Sequence, residues 1–324
     1  MRVSLVYNSK SGGASYSGKE LKALLRASGY SVAHCVDKKS SWKGLLKDPG
    51  DLVIVAGGDG TVGKVALAFA QHDVPIALLP TGTANNIARM LRIGVATPEE
   101  HIAGWAHADR YNLDIGVASG PWGKSTFIEG VGFGLLASAM AQLHAQDKHS
   151  DAKRDDNAFK LYRDRLALKA LATGYRPMAL SGALDGVGFS GDYLLLEALN
   201  IRSVGPAIEL AVDAEPDDGL LDLALVPADR REDFIDYLTD RLQGLDTPAP
   251  AEVRRGRSLT LVANRYDAHI DDRLWRAAAK PPAVSPDVEI KAQSHTVTIL
   301  VPQQHREEAP EPLPSAVSAM AMAQ

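Results

Sequence analysis

The stretch "LVIVAGGDGTVGKVALAF", residues 52 to 69, decides the fold. An apolar run ends in glycines around one acid, and Asp-Gly is on its own a strong hairpin signal between strands. The residues beyond the glycines exclude the hairpin. Val62, Val65, Ala66 and Phe69 recur at helical spacing, and no period-two alternation resumes after Thr61. The turn therefore joins a strand to a helix. At such a junction the free N–H groups of the helix start favour anions, and glycine lets a phosphate come close to the backbone.

A second turn repeats the arrangement. "PIALLPTGTANNIARML", residues 75 to 91, runs from an apolar strand through a polar glycine turn into a helix carrying Ile87, Met90 and Leu91. Thr83 and Asn85 suit helix capping there. The first strand also ends in a polar loop, "YNSKSGG", with Asn8, Ser11, Gly12 and Gly13. Neighbouring parallel strands ending in such turns bring them to one carboxyl edge, where open α/β sheets bind ligands. Neither the G-x-G-x-x-G fingerprint nor the G-x-x-x-x-G-K-[ST] loop is present.

Outward from these turns, residues 1–110 alternate β-type runs with helical patterns, which reads as a parallel sheet covered by helices. From Tyr111 the pattern changes to spaced short strands, including "YNLDIGVA", "YLLLEALN", "AIELAVDA", "LLDLALV" and "TVTILVP". That pattern predicts an antiparallel β-sandwich over 111–302. Residues 141–176 read as a helical insert, its apolar stripe formed by Phe159, Tyr162, Leu166 and Ala170. Residues 303–324, rich in Pro, Ala and Glu, read as a flexible tail.

Composition narrows the function classes. With 324 residues, two domains are expected. A formal net charge of -5 gives no general attraction to nucleic acid, so none is expected as a partner. The one cysteine, Cys35, builds neither an intramolecular disulfide nor a cysteine metal cluster and suits a reducing cytosol. The apolar stretch before Asn8 is shorter than the roughly 7 to 15 residues of a signal peptide, and no window reaches the roughly 18 to 20 of a membrane span. A cytoplasmic protein, at most peripheral to a membrane, is expected; oligomeric state is not legible.

"NSKSGG", "GGDGT", "PTGTANN", "EGVGFG" at 129–134 and "PDDGLLDLALV" at 216–226 follow one another in the order of the diacylglycerol kinase catalytic family. The chain resembles that family, which includes bacterial lipid kinases, sphingosine kinases and ceramide kinases, from about residue 1 to 302. The resemblance implies an α/β nucleotide-binding domain, a β-rich lipid-substrate domain and a nucleotide site in the cleft between them. It implies an ATP-dependent lipid kinase, with a kinase of a soluble hydroxyl compound, as in the NAD kinases that share "GGDG", and a catalytically weak nucleotide- or lipid-binding regulator as alternatives.

The resemblance also implies residue roles. Gly57, Gly58 and Gly60 bring N–H groups to the ATP phosphates and Thr61 adds a hydroxyl, with Asn8, Gly12, Thr83 and Asn85 completing the nucleotide site. Asp59 orients Mg²⁺ or accepts the proton of the attacking hydroxyl. Mg²⁺ falls to Asp218 with the carbonyls of Glu215 and Leu220, oxygen donors that suit a hard cation. The family's Asp-Gly-Glu turn aligns with Asp271, Asp272 and Arg273 in "AHIDDRLW", so Asp271 is the candidate base and the glutamate is lost. Lys64, where the family has Glu, sits near the expected phosphates or faces water. Eight basic against five acidic side chains over 141–176 make that insert a candidate for peripheral membrane contact.

Overall fold

The computed structural model describes residues 1–9, 11, 16–94, 96–147, 156–263, 265–277 and 288–303. Gly12, part of the insert (148–155) and the expected tail beyond 303 lie outside them. The chain forms two compact units, one from Met1–Leu113 with the stretch from His295, the other from Asp114–Ser294.

The first unit contains β1 (Arg2–Tyr7), α1 (Gly18–Ala27), β2 (Ser31–Asp37), α2 (Lys43–Lys47), β3 (Leu52–Gly57), α3 (Asp59–Phe69), β4 (Ile76–Pro80), α4 (Asn86–Met90) and α5 (Pro98–Gly104). β5 (Ala108–Gly120) leads from this unit into the second. The sheet runs β2-β1-β3-β4, all parallel. β3 is buried along its whole length, which is why "LVIVAG" reads as one apolar run and not as an alternation. Helix α1 begins with a capping box: Ser17 Oγ accepts the Glu20 N–H, and the Ser17 N–H donates to Glu20 Oε2 at 2.7 Å. Its Leu21 and Leu25 pack on Leu5, Ile54 and Leu79. Burying each such side chain contributes about 1.5–3 kcal/mol before chain entropy is charged against it.

The second unit holds β6 (Gly123–Phe127), β7 (Gly130–Gly134), α6 (Leu135–Asp147), α7 (Asn157–Gly174), β8 (Met178–Leu184), β9 (Val187–Leu199), β10 (Ser203–Val204), β11 (Ile208–Glu209) and β12 (Leu221–Pro227). It continues with α8 (Arg231–Gln243), β13 (Glu252–Gly256), β14 (Ser258–Leu261), β15 (Ala268–Ile270) and β16 (Arg273–Trp275), and β17 (Val288–Pro302) starts in it. β9 organises this β-sandwich. Its first half pairs with β8, and its second half lies between β7 and β12, all antiparallel. Along that second half Leu196 and Ala198 enter one core, with Phe133 and Ile270, while Leu195 and Leu199 enter another, under Leu168 of α7 and Phe234 of α8.

Three details differ from the sequence reading. "AIELAVDA" is a strand only at Ile208–Glu209; Ala207 is left-handed (φ 53°), and the N–H groups of Leu210 and Ala211 both return to the Arg202 carbonyl, which closes a loop. The buried stripe of α7 is Leu161, Arg165, Leu168 and Ala172, leaving Leu166 and Ala170 exposed. An arginine enters that face because its guanidinium donates to the carbonyls of Pro206, Ala207 and Arg241, which a hydrophobicity pattern does not register. Finally, the end of "TVTILVP" extends the parallel sheet, Ile299 and Leu300 of β17 pairing with Ile76 and Ala77 of β4. Among the described residues no helix is long and apolar enough to cross a membrane.

Candidate active site

In the first unit, β3 hands over to α3 at Gly58, the N-cap, which carries no side-chain cap. The positive end of the helix dipole thus faces the turn. The turn after β4 is bound to it directly. The Thr81 N–H donates to the Gly57 carbonyl at 3.1 Å, and Ser11 Oγ donates to the Thr81 carbonyl at 2.8 Å. Gly58 and Gly82 meet backbone to backbone: a Cβ on Gly58 would lie 2.7 Å from the Gly82 Cα. Glycine at both places is a packing requirement.

Asp59 completes this stitching. Its Oδ1 accepts the Ile87 N–H at 3.0 Å, so the first residue of α3 caps α4, with Asn85 and Asn86 adding N–H donors. Burial pushes its carboxyl above the ordinary range, and those donors pull the other way. Asn85 is left-handed (φ 51°); its side chain accepts the Gly82 N–H and donates to the Gly82 carbonyl, both at 2.9 Å. Thr61 is 1% exposed and packs against Gly57, so its hydroxyl sits in the interior of the turn. The Asn8 N–H donates to the Ala56 carbonyl, fixing the end of β1 on β3. Thr83 lies half-buried in the second turn. Lys64 is turned away, over the Trp42 ring and onto the Lys38 carbonyl at 2.8 Å.

In the second unit, Asp271 stands in a two-residue turn between β15 and β16. It is left-handed (φ 50°), and its N–H donates to the Gly130 carbonyl. Its Oδ1 accepts from the N–H groups of Ile128, Glu129 and Gly130 at 3.2, 2.9 and 3.2 Å. Burial pushes the carboxyl up to about 6 against the pull of these donors. The left-handed residue of the turn is Asp271 and not Asp272. Arg273 is exposed and donates to the Thr126 carbonyl at 3.2 Å.

Behind this turn lies a buried pair that sequence reasoning missed. His269 Nε2 is 2.9 Å from Glu197 Oε2, and the two side chains are 3% and 0% exposed. Their signal was an acid inside the apolar "YLLLEALN" and a histidine beside the turn acids.

A second missed acid, Asp114, faces the Asp-Gly loop. Asp114 Oδ2 accepts the Gly219 N–H at 2.7 Å, its own N–H donates to the Pro216 carbonyl, and Asp218 Oδ1 closes a turn on the Leu220 N–H at 2.9 Å. Burial raises the Asp114 carboxyl, and the charges of Asp218 and Asp217 raise it further, a crowding that a bound cation would relieve. Hard oxygen donors of this kind fit Mg²⁺. Among the described residues no group of three or more His, Cys, Asp or Glu side chains converges to hold a metal by side chains alone. Asn200 ties the two acidic places together, donating to the carbonyls of Asp114 and Ile128 at 3.3 and 3.2 Å.

A parallel α/β sheet with stitched glycine turns at its carboxyl edge is thus followed along the chain by a β-sandwich with helices. Residues 2–118 match the family model of the diacylglycerol kinase catalytic domain, and residues 138–287 that of the YegS C-terminal NAD kinase beta sandwich-like domain. A diacylglycerol kinase of Mycobacterium tuberculosis (strain CDC 1551 / Oshkosh) is 26% identical over 56% of this chain and 56% of its own length. One of Bacillus subtilis (strain 168) is 30% identical over 60% of this chain and 61% of its own. The chain thus spans little more than half the length of these relatives. Among solved structures, a diacylglycerol kinase from Bacillus anthracis str. Sterne superposes with a TM-score of 0.62 at 19% identity, covering 94% of this chain and 98% of that one. An NAD kinase from Archaeoglobus fulgidus in complex with ATP superposes with a TM-score of 0.53 at 14% identity, covering 95% and 96%. At these identities the structures establish the fold alone.

Proposed function

We propose that the chain is an ATP-dependent phosphotransferase whose acceptor is the hydroxyl of a diacylglycerol-, ceramide- or sphingoid-like lipid. The observation that carries the reading is the pair of glycine turns, fused through Gly58 and Gly82, around an α3 start that has no side-chain cap. Gly57, Gly58 and Gly60, with Asn8, Gly12 and Thr83, take the nucleotide phosphates. Asn85, Thr61 and Asp59 hold the turns in shape, Asp59 through the Ile87 N–H at the start of α4.

In the transfer the acceptor oxygen attacks the γ-phosphorus, the bond to the β-bridging oxygen breaks, and ADP leaves. The acceptor's proton passes to a carboxylate, and Asp271, with a carboxyl raised to about 6, is matched to that task near neutral pH. Mg²⁺, when bound, supplies charge neutralisation, and Asp218 with the carbonyls of Glu215 and Leu220 would hold it beside Asp114. Membrane contact through 141–176 belongs to the same reading; α7 spends its buried stripe on its own unit, so lipid headgroups would meet its basic outer residues.

A second reading, a nucleotide-binding regulator with little turnover, follows if Arg273 replaces a glutamate that the resembled family needs; its guanidinium is tied to the Thr126 carbonyl. ATP consumption measured with diacylglycerol, ceramide and NAD as acceptors separates these. Lipid-stimulated turnover supports the kinase, turnover with NAD alone moves the acceptor to a soluble class, and ATP binding without turnover supports the regulator. The Gly82→Ala variant is expected to lose ATP binding under either lipid reading, because its Cβ collides with the Gly58 backbone.

A further inference from the structure

The Glu197–His269 pair is arranged across three strands. His269 on β15 is level with Gly132 on β7, and Gly132 is level with Glu197 on β9. A Cβ at residue 132 would collide with the Glu197 carboxylate, so glycine there opens the path by which Glu197 reaches over β7 to the imidazole. The other ring nitrogen, Nδ1, is 3.2 Å from the carbonyl oxygen of Asp271.

The hydrogen-bond chemistry fixes the proton count. A carbonyl only accepts, so Nδ1 carries a hydrogen. Nε2 lies 3.1 and 2.9 Å from the two Glu197 oxygens. With no proton between them, lone pairs would oppose one another in a dry interior. One proton is therefore trapped there, whichever partner holds it. Burial draws the imidazole down but Glu197 overrides it for a net rise, and burial raises the Glu197 carboxyl. Both shifts retain the proton. Buried polar pairs are often replaceable by apolar residues at no loss of stability, so one placed under an acidic turn points to a task beyond filling space.

We propose that Glu197 and His269 are positioning residues, a proton-bridged strut that fixes the left-handed turn at Asp271 and so aims its carboxylate. The proposal rests on the reading of Asp271 as proton acceptor. His269 feels the charges of Glu197 from β9 and Asp271 from the turn, and Asp271 that of Asp272, while buried Glu129 lies on the segment bound to Asp271; β7 places Val131, Gly132 and Phe133 opposite β15.

The test compares Glu197→Ala with Glu197→Gln in mixed micelles of diacylglycerol and ATP. The alanine variant is expected to lose about tenfold or more in kcat with KM for ATP within about twofold, since a small misplacement of a reacting group is costly. Glutamine still offers Nε2 a hydrogen and is expected to restore most of kcat. A wild-type kcat in the alanine variant, or equal loss in both, overturns the strut. If Glu197→Ala does not fold, proton NMR decides: the wild type should hold a downfield signal from the proton between Glu197 and His269 Nε2 up to pH 9 that Glu197→Gln lacks, and no such signal in the wild type overturns it. Should the wild type phosphorylate nothing, the kinase reading fails while the strut stays testable. Amide exchange at 128–130 should then be about tenfold faster in His269→Gln than in the wild type; equal rates overturn the strut.

Discussion

Asp185 and Asp271 occupy the same place in two hairpins. Each is left-handed, at φ 48° and 50°, in a two-residue turn, between β8 and β9 or between β15 and β16. Each N–H donates to a crossing segment, the Ser258 or the Gly130 carbonyl. Each carboxylate accepts N–H groups of that same segment, Arg257 and Ser258 or Ile128 to Gly130. The cage is therefore a folding device that this chain uses twice, and by itself it marks no chemistry. The difference lies beneath: Asp185 is exposed and has open space beside it at Gly186, whereas Asp271 rests on a buried histidine and glutamate.

The comparison can be broken most forcefully at the two acids. Asp271→Asn is expected to lower kcat by about 100-fold or more, the range that one general base contributes, while Asp185→Asn stays within about twofold. Similar kcat values for the two variants, in the diacylglycerol assay, would remove the base from Asp271.

A smaller effect separates the two floors. Gly132→Ala drives a methyl into the Glu197 carboxylate and is expected to cost about 2–3 kcal/mol in urea unfolding, in the range of overpacked cores. Gly186→Ala, at φ 83° but with nothing within 4 Å, should cost only the strain of that conformation, about 1 kcal/mol. Equal costs would mean the Glu197 path is not tightly filled.

pH acts on one acid of the pair of turns in a definite sense. Because the Asp271 carboxyl is raised to about 6, it carries its proton below that pH, so kcat should climb as pH passes 6. For stability the sign is opposite: a raised carboxyl contributes most below its unfolded value and loses that contribution as pH rises through 6. Wild type should therefore lose stability relative to Asp271→Asn between pH 4 and 7 in parallel melts, and a gain would contradict the burial argument. The smallest effect is expected at Asp272→Gly, within about 0.5 kcal/mol of wild type, since residue 272 does not need positive φ.

The first unit was legible because β3 is buried along its whole length and reads as an unbroken apolar run, and because the helix period restarts right after "GGDG". The order of motifs carried the domain families as well. The contacts that give the turns their shape were not legible. Asp59 reaches a helix start 28 residues on, and Glu197 finds His269 only when β15, β7 and β9 lie side by side in that order. Pattern reading also assigns charged residues to water, which misplaced the stripe of α7 around Arg165 and left Asp114 and Glu197 as anonymous members of apolar strands.

The pairing of β17 with β4 sets a schedule for synthesis. Ile76 and Ala77 emerge from the ribosome more than two hundred residues before their partners, Ile299 and Leu300. Until then β4 is a bare, apolar edge of a parallel sheet, the kind of edge that invites association with other chains. A nascent chain of this protein thus carries its glycine turns early but must keep the strand behind one of them shielded until residues 299 and 300 have been made.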